Sequence, residues 1–331
     1  MTSADTVDAG IDAYSKLHRE ADTETRVASY EQLVNAYYDL ATVFYEWGWG
    51  SSFHFSYQFP GESFYESIRR HEYQLAAQLT ECSGKDKHVL DVGCGIAGPA
   101  RNISKFLQCQ ITGITLNQYQ VQRGNELNKA DKHSNVTSVQ GDFMDLPFQP
   151  ETFDGAYAIE ATCHAPDRVK CYKQVFQALK PGATFCNYEW CMTELYNAND
   201  PEHVRLKKDI EEGNGLPDIC STADCLLALK NAGFEIVCES DLAVEPALGI
   251  VQPWMTPLQP SWNPLSQRFQ FNCVGAVITN VVIRMLELVR LAPVGTVKTQ
   301  KVLQAGGFAL RDAGNAGIFT TMYLMVGRKP T

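Results

Sequence analysis

Beyond residue 87 the chain alternates short apolar runs with segments in which apolar side chains recur every three or four positions. The runs at 88–92, 110–114, 136–140, 153–159, 184–190, 235–240 and 318–326 predict seven strands. The helical-period segments at 99–107, 118–129, 168–179, 222–232 and 297–305 predict helices between them. Strands that alternate with helices need crossover connections, which make the sheet largely parallel and cover both its faces. The expected fold class is α/β, a seven-stranded, mostly parallel, doubly wound sheet with an N-terminal helical and aromatic cap and C-terminal helical insertions.

Ahead of this core, Leu33, Tyr37, Leu40, Ala41 and Phe44 share one helical face within 26–47. Phe53, Phe55, Tyr57 and Phe59 then alternate with Ser52, His54, Ser56 and Gln58, which predicts an extended segment with one apolar edge. A second helix follows at 62–79. Residues 1–25 are small, acidic and aperiodic, and are expected to be loosely attached. The segment 242–264 carries five prolines and two tryptophans and predicts an irregular loop. The longest apolar stretch, 274–291, is interrupted by Asn280, Arg284, Glu287 and Arg290. It predicts a half-buried amphipathic helix rather than one lying on a membrane. The expected organisation is 1–25 as a loose terminus, 26–85 as a substrate cap, 86–240 as a cofactor-binding core, and 241–331 as a region completing the pocket and sheet. His133, His203 and the charged face at 202–208 are expected at the surface.

Composition narrows the chemistry. A formal charge of −10 supplies no basic field for phosphate backbones, so nucleic acid is excluded as a partner. The eleven cysteines include no Cys-x-x-Cys pair, which fits buried thiols in a reduced, cytoplasmic compartment. The first thirty residues hold no apolar signal core and no arginine-rich presequence. The histidines lack metal-ligand spacing, and no metal is expected.

Gly93, Gly95 and Gly98 follow an apolar strand and precede a helix, a spacing that lets backbone approach a ligand at a helix N-terminus. A dinucleotide site would place an acid after the second strand, where Gly113-Ile-Thr-Leu-Asn117 has Thr115 instead. Asp91 lies inside the first strand, Cys94 within the turn, and Asp142-Phe143 closes the third strand with an acceptor for an amino group beside a ring. A turn-capping aspartate is the structural alternative for Asp142. For Asp91 it is a hydrogen bond to the turn's own amides.

This combination resembles the class I, Rossmann-like S-adenosylmethionine-dependent methyltransferases. The resemblance implies S-adenosylmethionine as cofactor and a site formed by Asp91, Gly93, Cys94, Gly95, Gly98, Thr115, Leu116, Asn117, Gln122, Asp142, Phe143 and Glu160.

Twelve of the twenty-nine residues at 37–65 are aromatic. The segments Tyr45-Glu-Trp-Gly-Trp-Gly-Ser-Ser-Phe-His-Phe55, Arg70-His-Glu72, Tyr157-Ala-Ile-Glu-Ala-Thr-Cys-His-Ala-Pro166, Tyr188-Glu-Trp-Cys-Met-Thr193 and Gly213-Asn-Gly-Leu-Pro-Asp218 closely resemble those of sterol 24-C-methyltransferases. So do 283–293 and Phe319-Thr-Thr-Met-Tyr323, and the likeness runs from about residue 30 to 329. It implies methyl transfer to carbon 24 of a sterol side chain bearing a 24(25) double bond, then a hydride shift and loss of a proton. The cation formed on the way needs a dry, ring-lined chamber.

Tyr45, Trp47, Trp49, Phe53, Phe55 and Tyr57 are the candidate wall, with plain core packing as the alternative for each. Glu46, His54, His71, Glu72, Glu160, His164 and Glu189 are the candidate bases. Tyr45, Glu46, His54 and Glu189 are favoured for the substrate pocket. Desolvation amid aromatic neighbours is expected to raise the pKa of Glu46 and Glu189. Glu160 and His164 are expected at the carboxyl edge of the sheet. Beyond the sterol, the resemblance admits a homo-oligomer, and so insoluble a substrate suggests peripheral contact with the endoplasmic reticulum membrane. A methyltransferase for another lipid, a nicotinamide oxidoreductase and a noncatalytic sterol-binding protein are the competing readings.

Overall fold

In the computed structural model, residues 14, 16, 23–244, 253–292 and 294–331 are described, without the side chains of Leu40, Val43, Trp47 and Gln267. Apart from Tyr14 and Lys16, the expectations for 1–22, and the part of the proline-rich loop at 245–252, lie outside these residues; Tyr14 is buried rather than loosely attached. Seven strands form one sheet: β1 (His88–Val92), β2 (Gln110–Thr115), β3 (Val136–Gln140), β4 (Phe153–Ile159), β5 (Leu179–Met192), β6 (Glu235–Asp241) and β7 (Phe319–Arg328). Their order is β3-β2-β1-β4-β5-β7-β6. The β1–β2, β1–β4, β2–β3 and β4–β5 pairs are parallel, and β6–β7 is antiparallel. β1 and β4 sit at the centre and are buried on both faces, which is why they read as continuous apolar runs.

The helices are α1 (Thr23–Ala28), α2 (Tyr30–Trp49), α3 (Phe64–Ala76), α4 (Gly98–Leu107), α5 (Gln118–Ala130), α6 (Arg168–Ala178), α7 (Pro201–Asn214), α8 (Thr222–Asn231), α9 (Cys273–Leu288) and α10 (Thr296–Asn315). Their starts follow local chemistry. Asn117, Asp167, Asp200 and Ser221 each accept a hydrogen bond from a backbone N–H of the following turn. At Ser63 a reciprocal box forms: Ser63 Oγ accepts from Glu66 N, and Glu66 Oε2 accepts from Ser63 N at 2.9 Å.

The chain packs as two units that do not run in sequence order. One holds the described residues up to Gly48, with Leu195–Ile219 and Met255–Phe319; the other holds Trp49–Glu194, Cys220–Trp254 and Thr320–Thr331. In the first, Tyr14, Leu33, Tyr37 and Ala41 make a buried cluster against which Tyr45 packs. Arg26 is buried there, donating to Pro217 O at 3.2 Å and facing Glu211 at 3.4 Å. The second holds the sheet.

Three expectations are corrected. The helix anticipated at 297–305 continues through Gly306 and Gly307 to Asn315, because Gly306 lies against Gly213 of α7, where a Cβ on either would overlap the other's backbone. There the glycines permit close helix packing instead of ending a helix. His133 is buried rather than superficial; its N–H donates to Asn128 O at 2.8 Å where the chain leaves α5 for β3. The apolar side chains of α9 face solvent, not the interior. All eleven cysteines are free thiols. No described helix is long and apolar enough to cross a membrane.

Replacing Ser63 with Ala removes the side-chain acceptor at the head of α3. It is expected to lower stability by about 1 kcal/mol, read as a shift of the urea-unfolding midpoint with unchanged slope; an unmoved midpoint would show that the cap contributes nothing.

Candidate active site

The chain leaves β1 toward β2 on one side and β4 toward β5 on the other, although β1 and β4 are neighbours. At such a switch point the connections diverge and leave a crevice at the carboxyl ends of the strands. The glycine turn after β1 and the 160–164 turn after β4 both lie there.

Every second residue of the first turn is left-handed: Gly93, Gly95 and Ala97 have φ of 84°, 52° and 60°. Such alternation bends the backbone into a concavity suited to a ligand's negative groups. The N–H groups of Gly93 and Cys94 both donate to Ile114 O at 2.9 Å and fasten the turn to β2. A Cβ on Gly93 would overlap the Ala161 side chain, and one on Gly98 would overlap the Ser51 carbonyl. The Phe53 ring lies 3.7 Å from the place a Gly95 Cβ would occupy. The segment after Gly50 is thus laid directly on the cofactor turn.

A buried carboxylate holds it there. Glu72 of α3 is fully buried; its Oε1 accepts from Ser52 Oγ at 2.7 Å and His54 Nε2 at 3.2 Å, and its Oε2 from Asn102 Nδ2 of α4 at 2.6 Å. Burial disfavours a charged His54, yet the hydrogen bond and charge of Glu72 outweigh it and raise the imidazole's pKa. His54 Nδ1 also meets Phe55 O at 3.0 Å, so both ring nitrogens face oxygen, as suits an imidazolium. The expected polar edge of the segment is therefore largely buried: Ser52, His54 and Ser56 lie inside together with Phe55, whereas Phe53, Tyr57, Gln58 and Phe59 are half-buried. His71, the next histidine inward, has neither ring nitrogen hydrogen-bonded and stacks on Tyr188 at 3.9 Å. Burial holds its pKa well below the usual value, and it is neutral.

Asp91, at the same level of β1, is buried, and its Oδ2 has no hydrogen-bond partner. Burial pushes its carboxyl up to about 7. A buried acceptor left bare costs about 1–3 kcal/mol; the buried Tyr157 hydroxyl is the chain's own neighbouring donor, and a ligand's donor would complete the carboxylate's partners. S-adenosylmethionine carries such a donor in its amino group.

Glu160 closes β4 with a φ of 51°, a strained conformation for a residue with a side chain. Its Oε1 accepts from Phe55 N at 2.8 Å and its Oε2 from Trp190 Nε1 at 2.7 Å. Desolvation raises its pKa to about 8. Around it the Phe55 ring meets Trp49 at 5.3 Å, Trp190 at 6.2 Å and Trp254 at 5.1 Å between centroids.

Other expected residues take different roles. Glu189 is fully buried, and its pKa is raised by desolvation, but its oxygens accept from Thr162 Oγ1, from Tyr172 OH at 3.0 Å and from Trp190 N at 3.0 Å. It braces β5 against the 160–164 turn. His164 is buried in that turn and donates its N–H to Ala161 O at 3.1 Å. Thr115 Oγ1 donates to Gln120 Oε1 at 2.8 Å, and Asn117 Oδ1 accepts from Gln120 N at 3.0 Å, so both work at the head of α5. Leu116 and Phe143 are half-buried, while Gln122 is exposed on α5. Asp142 Oδ1 accepts from Met144 N at 2.7 Å, the turn role foreseen as its alternative. Tyr57 does not join the ring cluster around Phe55; Arg70 lies over its ring at 4.3 Å and over Phe59 at 4.6 Å.

Tyr45 and Glu46 belong to the other unit, where Tyr45 OH lies 2.5 Å from Tyr37 OH and Glu46 is half-buried in α2. The Trp47 side chain is outside the described residues. Sequence reasoning gave Ser52 and Asn102 no functional role and left Trp190 and Trp254 out of the wall. The parity of Ser52, His54 and Ser56 was the available signal for a buried polar partner. A cavity of about 610 Å³ bounded by His88, Lys105, Gln110 and His133 lies at the opposite, amino-terminal edge of β1 and β2, away from these groups.

Comparison with known proteins shows the family. The family described as a methyltransferase domain matches residues 90–187, and that described as sterol methyltransferase C-terminal matches 266–331. The cycloartenol-C-24-methyltransferase 1 of Oryza sativa subsp. japonica is 48% identical over 98% of this chain and 94% of its own. The sterol 24-C-methyltransferase of Aspergillus fumigatus is 42% identical over 97% and 88% respectively. Among solved structures, a [4+2]-cyclase superposes with a TM-score of 0.67 over 91% of this chain and 97% of its own; at 23% identity it shows the shared fold alone. With identity of this order running through nearly the whole chain, the protein belongs to the sterol 24-C-methyltransferase family.

Proposed function

We infer that the protein transfers a methyl group from S-adenosylmethionine to carbon 24 of a 24(25)-unsaturated sterol side chain. The single observation that carries the chemical reading is Glu160, a desolvated carboxylate held between the Phe55 amide and the Trp190 indole at the switch point.

The donor, when bound, supplies an electrophilic sulfonium methyl; the remaining requirements fall on the chain. Asp91, Gly93, Gly95 and Gly98 are the residues that would hold the donor's amino-acid end, and Asp142 with Phe143 its adenine side. An alkene is a weak nucleophile that needs no prior deprotonation, so alignment and dryness do most of the work. Trp49, Phe55, Trp190 and Trp254 exclude water and present electronegative ring faces to the positive charge that develops on the sterol. In this reading Glu160 accepts the proton lost at the end. Desolvation makes a carboxylate a better acceptor once it is ionised, a state that a bound cationic donor would favour, and the two N–H donors leave lone pairs available. His54 is poorly suited to that task, because both its ring nitrogens are engaged, by Glu72 and by the Phe55 carbonyl; it positions Phe55 instead. The same reading places the protein in the cytoplasm, in peripheral contact with the endoplasmic reticulum membrane that carries its substrate.

Two outcomes are expected. Since a cationic amino group prefers an ionised Asp91, affinity for S-adenosylhomocysteine should fall as pH drops below about 7. Asp91→Asn should remove that dependence and weaken binding by roughly tenfold or more, about 1.5–3 kcal/mol for a lost charge-assisted bond; calorimetry that finds equal affinity would break the assignment. Glu160→Gln should lower kcat by about 100-fold or more while cofactor and sterol dissociation constants stay within a fewfold. Turnover within threefold of the parent protein, with the same product by mass, would remove Glu160 as the base.

A further inference from the structure

The helix α9 is built inside out. Its polar and small residues face the protein: Gly275 is buried against the Phe269 carbonyl, Asn280 donates to Ala276 O at 2.8 Å and to Gln304 of α10 at 3.4 Å, and Glu287 Oε1 accepts from Val297 N at 3.0 Å. Its apolar residues Val274, Val277, Ile278, Val281, Val282 and Met285 are all exposed, at the i, i+3, i+4, i+7 spacing of one stripe. At its end Leu288 and just past it Leu291 are 77% and 78% exposed, and in the preceding loop Trp262 and Leu265 are 71% and 94% exposed. An apolar surface of this extent marks a site of association with a protein or a membrane.

Charge decides between them. From Met255 to Leu310 the only acidic residue is Glu287, already turned inward, against the basic residues Arg268, Arg284, Arg290, Lys298 and Lys301. The whole chain has a net charge of −10, so this basic excess is local. Arg284 and Arg290 are exposed, with no ion pair among the described residues. A second copy applied face to face would bring like charges together. Anionic lipid head groups complement the arginines, and the acyl boundary complements the stripe.

We propose that α9 and the turn after it lie in the surface of an anionic membrane, apolar stripe inward and Arg284 and Arg290 at the head groups. This deepens the proposed function, resting on it only for the expectation that the substrate is drawn from a membrane.

The test is sedimentation of the full-length protein with vesicles of phosphatidylcholine, alone or with about one-third phosphatidylserine. The protein should bind the mixed vesicles, less strongly as salt rises. The double substitution V277E/V281E should weaken that binding by about tenfold or more, while turnover of a cyclodextrin-delivered sterol stays within twofold. If that variant loses its circular dichroism signal, Arg284→Gln with Arg290→Gln decides instead: it should weaken binding to the anionic vesicles and leave binding to the neutral ones unchanged.

A parent protein that stays in the supernatant, substitutions without effect on sedimentation, or a dimer by light scattering that V277E/V281E disrupts would each overturn the proposal. Vesicle binding through α9 by a protein that turns over no sterol would instead uphold it and sink the proposed function.

Discussion

A carboxylate removed from water must be met by donors, and much of the site follows from how Glu72 is met. Burying an ion costs several kcal/mol unless its hydrogen-bonding positions are filled, and removing one partner of a buried pair costs about 3–5 kcal/mol. Glu72 draws Ser52 and His54 from the segment before α3 and Asn102 from α4. Because α4 begins at the glycine turn, the same carboxylate ties the aromatic segment to the cofactor loop. Gly98 completes the arrangement by letting the Ser51 carbonyl approach where no side chain could stand.

With Ser52, His54 and Ser56 committed inward, the remaining groups of the segment are left to build the site. The Phe55 amide reaches Glu160, and the Phe55 ring meets three tryptophans. The result sets an ionisable group with a raised pKa among ring faces, beside an orphaned Asp91 oxygen on the neighbouring strand. Perturbed carboxylates concentrated at one switch point are what a reaction with a cationic donor and a cationic intermediate requires. Glu189, equally buried, has its oxygens occupied by the chain's own donors and serves rigidity instead.

Polar side chains also turn inward in α9, for a different reason. Ser52 and His54 turn inward because the buried Glu72 accepts their hydrogen bonds. In α9 Asn280 and Glu287 turn inward because backbone and side-chain groups of α10 and its N-terminal turn accept or supply hydrogen bonds, leaving the valines and leucines outside. Hydrophobic periodicity reports that a helix has two faces, and does not say which of them meets the protein.

All seven strands were legible in the sequence, the central β1 and β4 almost to the residue because a parallel strand buried on both faces reads as an unbroken apolar run, whereas β5 extends from Leu179 to Met192, beyond the expected 184–190. The glycine turn was equally legible, since its geometry is local: left-handed φ values and a helix start need only neighbours along the chain. Asp91, Glu160 and His54 could be named as candidates for the same reason.

What tertiary structure alone decided was pairing. Glu72 finding His54, Glu160 spanning Phe55 and Trp190, and Gly306 continuing a helix against Gly213 are contacts between distant parts of the chain. A residue's own neighbourhood along the chain encodes its conformation, but whether a buried acid is a base, a brace or an anchor depends on donors that folding brings from elsewhere.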